Sequence, residues 1–199
     1  MIPAAEALER LKHGNRRFVE SRLGRTANFS DAHRSGLATG QEPFAVILGC
    51  ADSRVPPEIV FDQTLGDLFV IRIAGNVATP AVTGSVEFAA GQLGTRLVVV
   101  LGHSGCGAVQ ATLSEVDSPS GNVSPNLGSI VEDILPVVRD IPADDPARED
   151  RAIQANVMQT VRRLTEQSEL LGDLQSEGGL SIVGAEYDLE TGSVLFLDV

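Results

Sequence analysis

Cys50 and Cys106 are the only two cysteines of this 199-residue chain, and the second follows a histidine in the segment His103-Ser-Gly-Cys106. An H-x-x-C pair lets an imidazole and a thiolate reach one ion, while Gly102 and Gly105 let the surrounding turn bend tightly. With Cys50 the set becomes two thiolates and one imidazole. That combination occurs in catalytic zinc sites, where three protein ligands leave a fourth tetrahedral position for water. Directly beside the first cysteine, Cys50-Ala-Asp52-Ser-Arg54 supplies a carboxylate and a guanidinium. Asp52 then has two readings: a fourth zinc ligand, or an ionised acceptor that Arg54 holds away from the metal and toward a hydroxide bound there. Taken singly, an isolated cysteine is more often packing than ligand, and an Asp-x-Arg is usually a surface ion pair. Their joint position decides: both cysteines, one of the three histidines and the Asp-Arg pair all fall at the ends of predicted strands. His13 and His33 have no such setting and are assigned no role.

The elements that must deliver these side chains are legible as hydrophobic patterns. Phe44-Ala-Val-Ile-Leu-Gly49, Leu68-Phe-Val-Ile-Arg-Ile73 and Leu97-Val-Val-Val-Leu101 are short apolar runs of the kind buried on both faces of a parallel sheet. Thr79-Pro80 predicts a helix running to about Leu93 and ended by Gly94, which makes a right-handed strand-helix-strand crossover. In open α/β sheets ligands bind beyond the carboxyl ends of the strands, where Cys50 and Cys106 both lie. Upstream, Ala4, Ala7, Leu8, Leu11 and Phe18 follow a helical period behind Pro3 and predict a first helix, expected to pack on its own core or on a partner subunit. Ser114 to Asn126 has loop composition, helices are expected near 127 to 139 and 146 to 170, and Ser181–Asp188 with Ser193–Asp198 form a terminal hairpin around Leu-Glu-Thr-Gly. The fold class is α/β, with a central mostly parallel sheet flanked by helices in a single domain over residues 1–199.

Composition excludes several functions. A formal charge of −12 argues against nucleic acid, whose phosphates need clustered Lys and Arg, and against anionic membrane surfaces. No apolar run reaches the roughly 18 residues of a membrane span, and the first residues lack the apolar centre of a secretory signal, so a cytoplasmic location is expected. In a reducing compartment a Cys50–Cys106 disulfide is disfavoured, and the absence of a C-x-x-C argues against thiol redox chemistry.

Cys50-Ala-Asp-Ser-Arg54 and His103-Ser-Gly-Cys106 resemble the two signature segments of the β-class carbonic anhydrases. The resemblance runs through nearly the whole chain, including Gly14-Asn15, Arg17-Phe18, Val55-Pro-Pro-Glu58, Phe61-Asp-Gln63, Gly66-Asp-Leu-Phe69, Arg72, Ala74-Gly75-Asn76 and Gly184-Ala-Glu-Tyr187-Asp188. It implies one Zn2+ per chain on Cys50, His103 and Cys106, with Asp52 and Arg54 as a catalytic dyad and Asp52 a conditional fourth ligand in a closed state. It also implies a pocket at the interface of a homo-oligomer, a dimer at minimum. There Gln41 orients the substrate, Phe69 and Phe88 of the partner subunit form apolar walls, and the Gly107 N–H donates to a substrate oxygen. Ile73 and Phe88 depart from the Asn and Tyr common at these positions in the family.

The activity so implied is reversible hydration of carbon dioxide to bicarbonate and a proton by zinc-bound hydroxide. In the three-histidine carbonic anhydrases zinc lowers the pKa of bound water from about 15.7 to roughly 7. Two thiolates give the metal more negative charge, so the Asp52–Arg54 pair and other groups around the ligands must help orient and stabilise the hydroxide. Two alternatives stay open: a hydrolase of carbon disulfide or carbonyl sulfide on the same scaffold, and a non-catalytic zinc domain with Asp52 as permanent ligand. Family members in which the Asp ligates zinc carry a Trp three residues before the first Cys, as part of an inhibitory bicarbonate site. Here that position is Ile47, although Arg72 and Tyr187 match the site's other residues, so an open resting site is expected.

Overall fold

The computed structural model describes residues 1–24, 30–119 and 123–197. The three apolar runs become β1 (Ala45–Gly49), β2 (Leu68–Arg72) and β3 (Leu97–His103), joined by β4 (Ser181–Tyr187) and β5 (Val194–Leu197). The sheet has five strands in the order β2-β1-β3-β4-β5. β1 to β4 run parallel, and β5 returns antiparallel to β4 as the expected hairpin, whose predicted end at Asp198 lies outside the described residues. Register aligns Gly49 with both Arg72 and Leu101. The carboxyl ends of β1, β2 and β3 therefore open at one level, where Cys50 leaves β1 and His103 ends β3.

The helices are α1 (Ala4–Val19), α2 (Asp31–Gly36), α3 (Pro57–Val60), α4 (Pro80–Glu87), α5 (Gly107–Asp117), α6 (Pro125–Val138), α7 (Arg148–Glu166) and α8 (Glu169–Ser176). Because side chains alternate along a strand, Val46, Leu48, Val98 and Val100 meet α4, α7 and α8 on one face of the sheet, while Ile47, Val99 and Leu101 meet α1 and Phe61 on the other. Every residue of β1 and β3 is buried, as continuous apolar runs require, whereas β2 stays half-exposed because it is a sheet edge. A third cluster, with Val77, Val109, Ile134, Val138 and Ile153, surrounds Cys50 and Cys106.

Of the two packings expected for α1, the one on its own core is seen, with Ala7 and Leu11 fully buried, a burial worth about 1.5–3 kcal/mol for the leucine. Close docking explains this: a Cβ on Gly14 would lie 1.8 Å from the Phe61 carbonyl oxygen. Asn15 Nδ2 donates to the carbonyls of Val60 and Gly192, while its Oδ1 accepts from Val194 N–H. The predicted helix from Thr79 keeps α geometry to Glu87 and widens into a π turn over Phe88–Gln92 before Gly94. The expected loop from Ser114 begins inside α5, because Thr112 and Ser114 hydroxyls bond carbonyls one turn back and do not break the helix; its residues 120–122 lie outside the described residues. The expected helix 146 to 170 is two helices, since Ser168 accepts from Leu171 N–H and starts α8 afresh. α2 and α3 are too short to leave a period in the sequence.

Candidate metal centre

Cys50, His103 and Cys106 converge, with their ligand atoms within 4.8 Å of one another, and all three residues are buried. Each arrives by a different device. Cys50 is the first residue past β1, His103 the last of β3, and Cys106 the N-cap of α5, at the positive end of that helix. Gly105 has φ 64°, the left-handed geometry the turn between His103 and Cys106 needs. Gly102 serves a different purpose from the turn expected of it: it lies within β3, and a Cβ there would come 2.5 Å from Val157 Cγ2, so its bare backbone lets α7 close on the strand.

The donor set suits zinc on an observation that does not depend on any bound ion. His103 Nδ1 lies 2.9 Å from the Ser104 carbonyl, which can only accept, so that nitrogen carries the proton. The other nitrogen, Nε2, is buried and meets hydrogen-bond geometry with no group among the described residues, with the Cys50 sulfur its neighbour. A buried orphan acceptor beside two thiols is what a ligand looks like when the metal is its missing partner. Cys50 is lowered to about 4, first by the hydrogen bond of the neighbouring Cys106, against the opposing effect of burial and with help from Gly75 N–H. Cys106 is pushed up by its bond to Cys50 and by burial. One of the two thiols is thus ready as a thiolate.

Asp52 faces this group with Oδ2 3.9 Å from His103 Nε2, but Arg54 engages it on both oxygens. Arg54 Nη2 donates to Oδ2 at 2.7 Å, Nε to Oδ1 at 3.0 Å, and the Arg54 backbone N–H to Oδ1 at 2.9 Å. These bonds, the side-chain ones foremost, hold the carboxyl well below the usual carboxylate range. Arg72 braces the same loop from β2, donating Nε to the Cys50 carbonyl at 3.0 Å and Nη2 to the Asp52 carbonyl.

Of the remaining expected site residues, Gln41, Phe69 and Phe88 are not brought to the three metal-binding candidates of their own chain. Gln41 is exposed on the amino side of β1, the end opposite Cys50. Phe69 pairs in register with Val46, four residues and roughly 13 Å of strand before Cys50. Phe88, 48% exposed, has its ring centroid 6.2 Å from that of Phe69. Gly107 does open α5 beside Cys106, with its N–H among the first-turn donors that lack an intrahelical partner.

A family model described as carbonic anhydrase matches residues 45–194. Carbonic anhydrase 2 of Mycobacterium tuberculosis is 44% identical over 195 residues, covering 96% of this chain and 92% of the relative. This chain belongs to the β-class carbonic anhydrases. A carbonic anhydrase of Mycolicibacterium smegmatis is 42% identical over 94% of this chain and 90% of its own. Among solved structures, a tetrameric β-carbonic anhydrase of Sordaria macrospora superposes with a TM-score of 0.74 at 27% identity, over 85% of this chain and 88% of the other. The reaction of this β-carbonic anhydrase is zinc-dependent hydration of carbon dioxide, and Cys50, His103 and Cys106 form a group that could hold the zinc.

Two features escaped the sequence reading. One is the Arg72 brace on the Cys50–Asp52 loop. The other is Asn156, fully buried on α7, which donates to the Gly75 carbonyl, while Gly75 N–H lies 3.4 Å from Cys50 Sγ. The available signal for Asn156 was a polar residue inside the apolar stripe Ile153, Val157, Val161, Leu164.

Proposed function

We propose that this β-carbonic anhydrase carries out its reaction with Asp52 and Arg54 as the catalytic dyad, in a homo-oligomer whose partner subunit completes the substrate pocket. The observation that carries the dyad is the two-pronged Arg54–Asp52 pair beside the three ligands. Zinc, when bound, supplies the Lewis acid that makes water nucleophilic near neutral pH. The chain's own groups do the rest. Asp52, kept ionised and turned away by Arg54, accepts a hydrogen bond from the attacking oxygen and aims its lone pair at the carbon of carbon dioxide. Gly107 N–H donates to a substrate oxygen as negative charge grows there. Gln41 orients the substrate, and Phe69 with Phe88 of the partner subunit supply an apolar wall suited to a neutral linear molecule.

Support for assembly comes from the half-exposed β2 edge and from the tetrameric Sordaria macrospora relative. A reducing cytoplasm suits the site, since both cysteines must remain free to ligate. The test is zinc content and carbon dioxide hydration measured on one preparation, alongside Cys50→Ser and Cys106→Ser. One zinc per chain with rapid hydration, both lost in each variant, is expected. Full activity in metal-free Cys50→Ser protein would sink the reading, and faster turnover of carbon disulfide or carbonyl sulfide would reassign the substrate.

A further inference from the structure

The ligand Cys50 receives a hydrogen bond from the N–H of Gly75, whose carbonyl, in the next peptide group, is held by a distant helix. Gly75 N–H points at Cys50 Sγ across 3.4 Å. That direction depends on a short turn over Ala74–Asn76 in which two consecutive residues are left-handed, Gly75 with φ 70° and ψ 16° and Asn76 with φ 45°. Gly75 has no alternative residue: a Cβ would meet Ile134 Cδ1 at 2.9 Å and Ala108 Cβ at 3.1 Å, besides the strain of positive φ. Two bonds hold the turn, Asn76 N–H to the Ile73 carbonyl at 3.0 Å and Asn156 Nδ2 to the Gly75 carbonyl at 2.8 Å.

We propose that Asn156 is a positioning residue of the metal centre, fixing the Gly75 peptides so that Gly75 N–H is aimed at the Cys50 sulfur. Asn156 is 1% exposed and shares its helix with Ile153 and Val157, the side chains that seat against Gly102 just before His103. α7 therefore sets two of the three ligands at once, one by packing and one by a hydrogen bond. The Gly75 carbonyl can only accept, so the amide nitrogen of Asn156 must face it. The amide oxygen of Asn156 is buried with no partner among the described residues. A half-satisfied amide in an apolar helix face is a poor packing residue, and its one bond is the one that holds this turn. An N–H bonded to a thiolate draws charge from the sulfur and limits what it donates to a metal, which offsets the extra negative charge of a two-thiolate ligand set.

The inference rests on the metal centre described above, and the experiment separates the two. Cobalt(II)-substituted protein reports sulfur donation through its thiolate-to-cobalt charge-transfer band. In Asn156→Leu, which keeps bulk and removes the donor, the band should move to longer wavelength and kcat should fall about ten- to a hundredfold, the usual range for outer-shell partners of a metal. Asn156→Ala, smaller and also lacking the donor, carries the same test if the leucine variant does not fold. Gln159→Met is the control: it removes another buried bond of the same helix, to the Asp133 carbonyl, and should leave the band in place. A wild-type band in folded Asn156→Leu or Asn156→Ala, or an equal shift in Gln159→Met, overturns the proposal. Absence of the band from the cobalt-loaded wild type would instead remove the thiolate metal centre itself, and the relay with it.

Discussion

At the scale of single residues, the proposed dyad rests on one carboxylate that Arg54 holds on both oxygens. Asp52 accepts three hydrogen bonds from Arg54, two at Oδ1 and one at Oδ2, so both of its oxygens are engaged. Arg54→Ala should therefore leave zinc at one per chain while carbon dioxide hydration falls about ten- to a hundredfold, since the freed carboxylate lies only 3.9 Å from His103 Nε2 and can turn onto the metal. Metal analysis and stopped-flow rates on the same sample check this, and normal hydration by the variant would mean the pair is merely structural. A second expectation concerns product inhibition. Ile47, fully buried in the sheet core, stands where the resemblance implies a Trp of the inhibitory bicarbonate site, so that site is incomplete although Arg72 and Tyr187 match its other residues. Bicarbonate inhibition should be simple and non-cooperative; steep cooperativity would contradict this. The metal ligands were legible because cysteine is scarce in this chain and each cysteine follows a strand. Asn156 was not, because its role lies in one hydrogen bond to a peptide 81 residues away, and nothing local marks that partner.

At the scale of elements, the strands were readable and the helices only in part, for a physical reason. β1 and β3 are buried on both faces, so burial alone writes them as unbroken apolar runs. α5 opens with Gly107-Ala108 directly after a ligand and ends in Ser, Glu and Asp, so its weak amphipathic pattern gives way to a composition that also suits a loop. Close approach between α7 and β3 was invisible for the same kind of reason, since glycine in a strand does not say what lies over it. Gly102→Ala tests that contact. The added methyl would sit 2.5 Å from Val157 Cγ2 and 3.4 Å from Ile153 Cγ2, pushing α7 from the strand that carries His103. Chemical denaturation should show a loss of about 1–3 kcal/mol, with weaker zinc retention. Gly128→Ala in α6, where nothing lies within 4 Å of the new methyl, should instead gain about 0.5–1 kcal/mol. Equal effects in the two variants would show that the α7–β3 contact accommodates a side chain at Gly102.

For the whole molecule, the chain leaves an apolar strip where its sheet ends. Leu68, Phe69, Val70 and Ile71 of the β2 edge are half-exposed, and Phe88, paired with Phe69, is 48% exposed. An edge strand of this kind invites pairing unless charge or another element covers it, and the residues along β2 are uncharged until Arg72. The metal ligands, by contrast, all come from one chain. Zinc binding and pocket completion are thus separable, and Val70→Glu should separate them. A charge on the β2 edge should shift sedimentation toward the monomer and reduce carbon dioxide hydration with it, while zinc stays at one per chain because no ligand is supplied in trans. Diluting the wild type through its association range should trace the same loss, with activity following the fraction assembled. Monomers that sediment as such at assay concentration and hydrate carbon dioxide at the full rate would show that Gln41, Phe69 and Phe88 have no part in the pocket, and would leave Gly107 and the Asp52–Arg54 pair as the whole of the substrate site.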